Sequence, residues 1–236
     1  MIVCRSLMKK YETGVAVASL DLTIPDAQVV GILGRNGAGK TTFLKMLAGL
    51  TKPTAGDVLI DDQTPAAMAR DIAFITEAGS WFPGWTAWKH ADFLQNFYPR
   101  FDRKRYRQML SFFRIPLDAK AGRLSTGEQA RFELAIGFSK GARYLLLDEP
   151  FLGKDIFSRR DFLQMMAAGL KEDETILIST HLIDEIENFL DRAVIFNFGR
   201  LKADCMIDEL RENGSSLEEL MADACDYDQT RIQQYL

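Results

Sequence analysis

Between Gly34 and Thr42 the chain reads Gly34-Arg35-Asn36-Gly37-Ala38-Gly39-Lys40-Thr41-Thr42, a glycine-framed span that ends in a lysine and two hydroxyls. Glycines at this spacing let the backbone fold closely around phosphate, so that successive N–H groups and the positive end of a following helix meet the anionic oxygens. Lys40 suits the β- and γ-phosphates of a nucleotide, and Thr41 offers a hydroxyl to Mg²⁺. A second chemical element is Arg143-Tyr-Leu-Leu-Leu-Asp148-Glu149-Pro150, an apolar strand that delivers two adjacent carboxylates at its end. Ligand chemistry in open α/β sheets collects at such ends. Asp148 is the hard-oxygen ligand for Mg²⁺, directly or through water, and Glu149 is left to polarise an attacking water as general base. His181 follows the strand-like Thr175–Thr180 and is expected at the same sheet edge.

Leu124-Ser125-Thr126-Gly127-Glu128-Gln129 is the most discriminating stretch. Ser125 followed three residues on by Glu128 is a capping-box pattern, and the helix-compatible run to Phe138 makes this a helix start. The hexapeptide also resembles the signature motif of the ABC (ATP-binding cassette) ATPases, and it lies just upstream of the Asp148-Glu149 strand, as it does in that family. The resemblance covers about residues 1–205. It implies that Ser125, Gly127 and Glu128 meet the γ-phosphate of ATP held by a second subunit, and that His181 is the switch histidine that contacts the same phosphate. It further implies that Tyr11 stacks on adenine, that Arg35, Asn36, Gly37, Ala38 and Thr42 complete the phosphate cradle, and that Asp155 couples two active sites across a dimer. Glu77 stands where the family usually has glutamine. It keeps an oxygen for Mg²⁺ or water but adds a negative charge beside a triphosphate.

These residues need elements to position them. Val29–Leu33 is a continuous apolar run that passes at once into glycines, the pattern of a buried parallel strand entering a tight turn, and Thr41–Leu50 reads as the helix behind it. Ile2–Met8, Val15–Ile24 and Val58–Ile60 read as an antiparallel layer. From Trp88 to about Gly141 the spacing is helical, broken at Pro99 and Pro116. Ile72–Ile75, Tyr144–Leu147, Ser158–Leu170, Thr175–Ile178, Ile183–Leu190 and Ala193–Phe196 then read as a strand, strand, helix, strand, helix, strand series. The expected fold is α/β: a P-loop NTPase (ABC ATPase) core with an antiparallel β layer and an inserted helical subdomain at about 88–141. The ATPase domain is expected over 1–205, with a short C-terminal helical extension over 206–236.

At 236 residues the chain exceeds an ordinary single-core domain, and its 47% hydrophobic and 26% charged content excludes a disordered or fibrous class. A net charge of −4 offers no bulk attraction to nucleic acid or an anionic membrane. Cys4, Cys205 and Cys225 have no paired spacing, which suits a reducing compartment. No run approaches the ~20 apolar residues of a membrane span. Composition leads to the expectation of a cytoplasmic chain with no nucleic-acid partner; the family resemblance implies that it binds peripherally to the membrane through an integral-membrane permease and works as a homodimer or as a heterodimer with a second ATPase subunit, with ATP and Mg²⁺ as cofactors. The cluster Trp81-Phe82-Pro83-Gly84-Trp85, with Trp88, suits a cap on the helical lobe's core, and the family resemblance implies a groove that receives a helix of the permease; the two readings are compatible. Export is the expected direction. A soluble non-transport ABC-type ATPase and a P-loop phosphotransferase are the rivals.

Overall fold

The structure is a computed structural model that describes residues 1–76, 79–150, 162–164, 166 and 170–225. Strand β2 (Gly14–Ile24) shows the half-buried alternation of an antiparallel layer, with Leu20, Leu22 and Ile24 inward and Asp21 and Thr23 outward. It pairs with β1 (Ile2–Tyr11), which pairs on its other side with β4 (Ala55–Ile60). Strands β3 (Val29–Leu33), β5 (Ile72–Thr76), β6 (Tyr144–Asp148), β7 (Thr175–Thr180), β8 (Arg192–Asn197) and β9 (Arg200–Met206) form the second sheet in the order β5-β6-β7-β3-β8-β9. The first five run parallel, and β9 returns antiparallel along β8.

A parallel sheet covered on both faces needs strands that are apolar at every position. Alternate residues of β6 show why: Tyr144 and Leu146 join one core with helix α1 (Lys40–Leu47) and the antiparallel layer, whereas Leu145 and Leu147 join the other core with the helical lobe. The lobe holds α2 (Ala87–Phe97), α3 (Arg103–Phe112) and α4 (Thr126–Ser139). Each begins at a side chain that accepts a first-turn N–H, namely Thr86, Asp102 and Ser125. Pro99 and Pro116 lie after α2 and α3, where the chain leaves helical geometry. A buried ion pair, Arg105 on α3 with Glu174 before β7, ties the lobe to the sheet.

Two elements differ from expectation. The stretch expected as one helix over Ile183–Leu190 is a single turn, α5 (Ile183–Ile186), and a 3₁₀ turn, Glu187–Phe189. Leu182 provides no side-chain cap, and Leu190 is already extended, its side chain filling the space beside Gly31, as the chain enters β8. Strand β9 lacks an apolar run, since Arg200, Lys202 and Asp204 alternate outward on the sheet edge, so the sequence does not announce it. Of the helix expected over Ser158–Leu170, the described part is helical at 162–164 and 166, and Phe162, Leu163 and Met166 are buried in the lobe-side core. Beyond β9, α6 (Ile207–Glu212) and α7 (Leu217–Ala224) bury Ile207, Leu210 and Leu217 in that same core. Residues 226–236 lie outside the described residues.

Candidate functional site

Strand β3 ends at Leu33, and the loop that follows carries two glycines no other residue would replace without strain. Gly34 and Gly39 have φ of 147° and 105°, and a Cβ on either would lie 2.3 Å from a carbonyl oxygen, of Phe196 and Ala16 respectively. Gly39 is also the N-cap of α1, so it offers no side chain to the helix's first amides, and no acidic residue stands in the first turn. Those amides are therefore left facing an anion site. The open cavity there has a volume of about 230 Å³ and is lined by Ala16, Asn36, Gly37, Ala38, Gly39, Lys40, Thr41, Thr42 and Glu149.

The ends of β6 and β7 supply the acids. Thr41 Oγ1 donates to Asp148 Oδ1 at 2.8 Å, and Ser179 Oγ donates to the same oxygen at 2.7 Å. Glu149 holds a left-handed φ of 47°, unusual for a residue with a side chain. Its carboxylate reaches Lys40 Nζ at 3.1 Å through one oxygen and His181 Nδ1 at 3.1 Å through the other. Lys40 is 5% exposed and also donates to the carbonyls of Gly34, at 2.7 Å, and Arg35, at 3.4 Å. The structure thus brings together the phosphate loop, Lys40, Thr41, Asp148, Glu149 and His181. Asp148 and Thr41 present oxygens of the kind a hard divalent cation selects, with Ser179 holding Asp148 from behind.

Other expected residues stand apart in the single chain. Ser125 and Gly127 are exposed at the start of α4, and neither they nor Glu128 line the loop cavity. The capping box is complete: Glu128 Oε2 accepts the Ser125 N–H at 2.8 Å and the Ser125 hydroxyl at 2.7 Å, bonds that hold the Glu128 carboxyl below its usual pKa. Tyr11 is 42% exposed at the end of β1, with Lys9 Nζ over its ring, and Arg35 is exposed with only its backbone engaged. Glu77 and Asp155 lie outside the described residues. In the aromatic cluster Trp81 packs against the lobe core, whereas Phe82 and Trp88 are 45% and 39% exposed, as is Phe97 beyond the cluster at 54%. Phe82, Trp85, Phe93 and Phe97 form a chain of ring contacts with centroids 4.3 to 5.7 Å apart.

Sequence reasoning missed Ser179 and Ala16. Ser179 pairs in register with Asp148 across β6 and β7, and a hydroxyl near the end of an otherwise apolar parallel strand is the signal that points to it. Ala16, on β2, lines the cavity and sets its carbonyl against Gly39, a contact that no residue type announces.

A glycine loop opening a helix at the edge of a parallel sheet, beside a paired Asp-Glu and a histidine, defines a nucleotide-binding α/β protein equipped for phosphate cleavage. Residues 17–152 match the family model described as ABC transporter, and the chain belongs to that family. It is an ATP-binding protein and an ATPase of that family. Among its curated relatives, the ABC transporter ATP-binding protein YtrB of Bacillus subtilis (strain 168) is 30% identical, the alignment covering 90% of this chain and 74% of the relative. The SkfA peptide export ATP-binding protein SkfE of the same organism is 29% identical, over 92% of this chain and 94% of its own. A solved structure titled an ATP binding subunit of an ABC transporter superposes with a TM-score of 0.84 at 26% identity, covering 95% of this chain and 99% of the other.

Proposed function

We propose that the protein is the motor subunit of an exporter: two cassettes close head to tail on ATP and Mg²⁺, and their closing and reopening drive a separate integral-membrane permease. The observation that carries this reading is the division of the site. Lys40, Glu149 and the loop amides face one cavity, while Ser125 and Gly127 stand exposed on the lobe and, like the half-buried Glu128, do not line it. A second copy, or a second ATPase subunit, would bring the missing half. ATP that binds the closed pair more tightly than the open one shifts the population toward closure, and hydrolysis releases it.

Within the site, the loop amides and Lys40 hold the phosphate chain, and Tyr11 offers its exposed ring to adenine. Glu149 takes a proton from the attacking water as the water oxygen bonds to the γ-phosphorus and the bond to the β–γ bridging oxygen breaks. His181, in contact with Glu149, orients that carboxylate and reaches toward the γ-phosphate. Thr41, Asp148 and Glu77 are the residues that would hold Mg²⁺, which neutralises charge on the phosphates when bound. Asp155 would link the two sites of the dimer.

No helix among the described residues is long and apolar enough to cross a membrane, so the membrane-spanning part would belong to the partner. The exposed aromatic chain from Phe82 to Phe97 suits an amphipathic helix of that partner at the cytoplasmic face. Export is supported by the peptide-export relative, which aligns over nearly its whole length. Glu149→Gln should trap a dimer on size-exclusion chromatography with ATP. A strictly monomeric elution with bound nucleotide would sink the two-cassette reading and favour a non-transport ABC-type ATPase.

A further inference from the structure

We propose that Ser179 is a positioning residue for ATP hydrolysis, one hydroxyl that sets the relative placement of the metal-facing Asp148 and the water-activating Glu149. The inference rests on the ATPase reading and adds a residue that none of the motifs contains. Ser179 is fully buried in β7, flanked in register by Asp148 on β6 and Ile32 on β3. Its hydroxyl proton goes to Asp148 Oδ1 at 2.7 Å, and its oxygen accepts the Glu149 N–H at 3.0 Å. A hydroxyl with its one proton committed and its oxygen in use cannot rotate, so the two acids are locked to each other through a single atom.

The lock matters most at Glu149. The residue turns into left-handed backbone immediately after the strand, a conformation that side-chain-bearing residues hold only when their surroundings over-determine it. The Glu149 N–H is bifurcated between the Ser179 hydroxyl and the Ser179 carbonyl, each at 3.0 Å, so both anchors of that strained peptide come from one residue. From this turn the carboxylate is aimed back at Lys40 and His181. Without the hydroxyl, the carbonyl contact remains but the backbone gains freedom to relax toward ordinary φ, which swings the carboxylate. Asp148 loses one of the two donors on Oδ1 and keeps only Thr41. Ser179 does not line the loop cavity, so its effect falls on the geometry of the chemical step and hardly on nucleotide affinity.

The test is a set of four purified full-length proteins: wild type, Ser179→Ala, Ser179→Thr and Ser179→Val. Threonine and valine add the same bulk at a fully buried position and differ only in the hydroxyl, so any packing penalty is shared between them. Phosphate release under saturating Mg-ATP gives kcat, and titration with a fluorescent ATP analogue reports binding and confirms folding. The expected result is a fall in kcat of about tenfold or more for the alanine and valine variants, with affinity changed by less than about threefold and threonine restoring most of the rate. Undiminished kcat in Ser179→Ala, equal impairment of the threonine and valine variants, or a loss expressed only in affinity would each overturn the proposal. Absence of turnover in the wild type would remove the ATPase reading beneath it.

Discussion

The Lys40 ammonium and a Glu149 carboxylate oxygen lie 3.1 Å apart, with the two side chains only 5% and 18% exposed. The group that would hold the γ-phosphate is thus paired with the group that would activate water against it. A phosphate chain entering the loop must draw Lys40 from this carboxylate as well as from the Gly34 and Arg35 carbonyls.

Glu149→Gln keeps the shape of that contact and removes its charge. ATP should bind at least as tightly, because a competing anion is gone, while steady-state phosphate release should fall by about 10²- to 10⁴-fold, the usual contribution of a positioned general base. Phosphate release and nucleotide titration of the purified variant check the two halves separately.

Lys40→Ala removes the only side-chain cation among the described residues that line the loop cavity. A hydrogen bond from a charged donor contributes about 1.5–3 kcal/mol, so ATP affinity should weaken by about tenfold to a hundredfold. Fluorescent-nucleotide titration that gave wild-type affinity would contradict the role assigned to the lysine.

The Arg105–Glu174 pair is buried on both sides, with side-chain exposures of 10% and 3%. Removing one partner leaves a charge without compensation, so Arg105→Met should cost about 3–5 kcal/mol in urea unfolding, whereas pairing it with Glu174→Leu should recover much of the loss. The pair spans α3 and the turn before β7, so the single variant should also loosen the lobe's attachment to the sheet. Enhanced proteolysis around residues 98–105 would register that loosening.

His90 supplies a pH signature. Its Nε2 accepts the Phe82 N–H at 2.9 Å and its Nδ1–H donates to the Thr86 carbonyl at 2.7 Å, so the fold holds the neutral ring, and burial pushes its pKa below 6.5. As pH falls through about 6.5, the unfolded chain takes up a proton that the folded chain refuses, so the contribution is intact above that value and declines below it. Burial of Glu133 raises its pKa and acts in the opposite sense in the acid range. The contribution of His90 therefore appears in the difference between wild type and His90→Gln, whose melting temperatures should converge as pH falls below 6.5. Parallel curves across that range would refute the assignment.

Much of the site was legible because its chemistry is local in sequence. The phosphate loop, the acids that end β6 and the capping box of α4 each lie within a few consecutive residues and carry their own turn or cap chemistry. The architecture followed from the same kind of signal, apolar strands with period-two alternation and helices punctuated by Pro99 and Pro116. What escaped notice depends on residues that meet only after folding. Ser179 reaches Asp148 across a strand pair, Arg105 meets Glu174 from another subregion, and the buried Glu133 accepts the backbone N–H of Ser80 at 2.6 Å. Ala16 sets its carbonyl against Gly39, and β9 is a polar edge strand defined by its hairpin partner.

The capping box at α4 has one more consequence, and it concerns a single hydrogen atom. The Ser125 hydroxyl carries one proton, and in this chain Glu128 Oε2 receives it at 2.7 Å. A γ-phosphate oxygen arriving from a second cassette can accept that same proton only by displacing a carboxylate, and it must approach against the carboxylate's negative charge. On the proposed two-cassette reading, closure would be an exchange of acceptors at one oxygen. Such an exchange would set a threshold: a triphosphate seated against the helix amides would take the proton, and a shorter anion would leave it with Glu128.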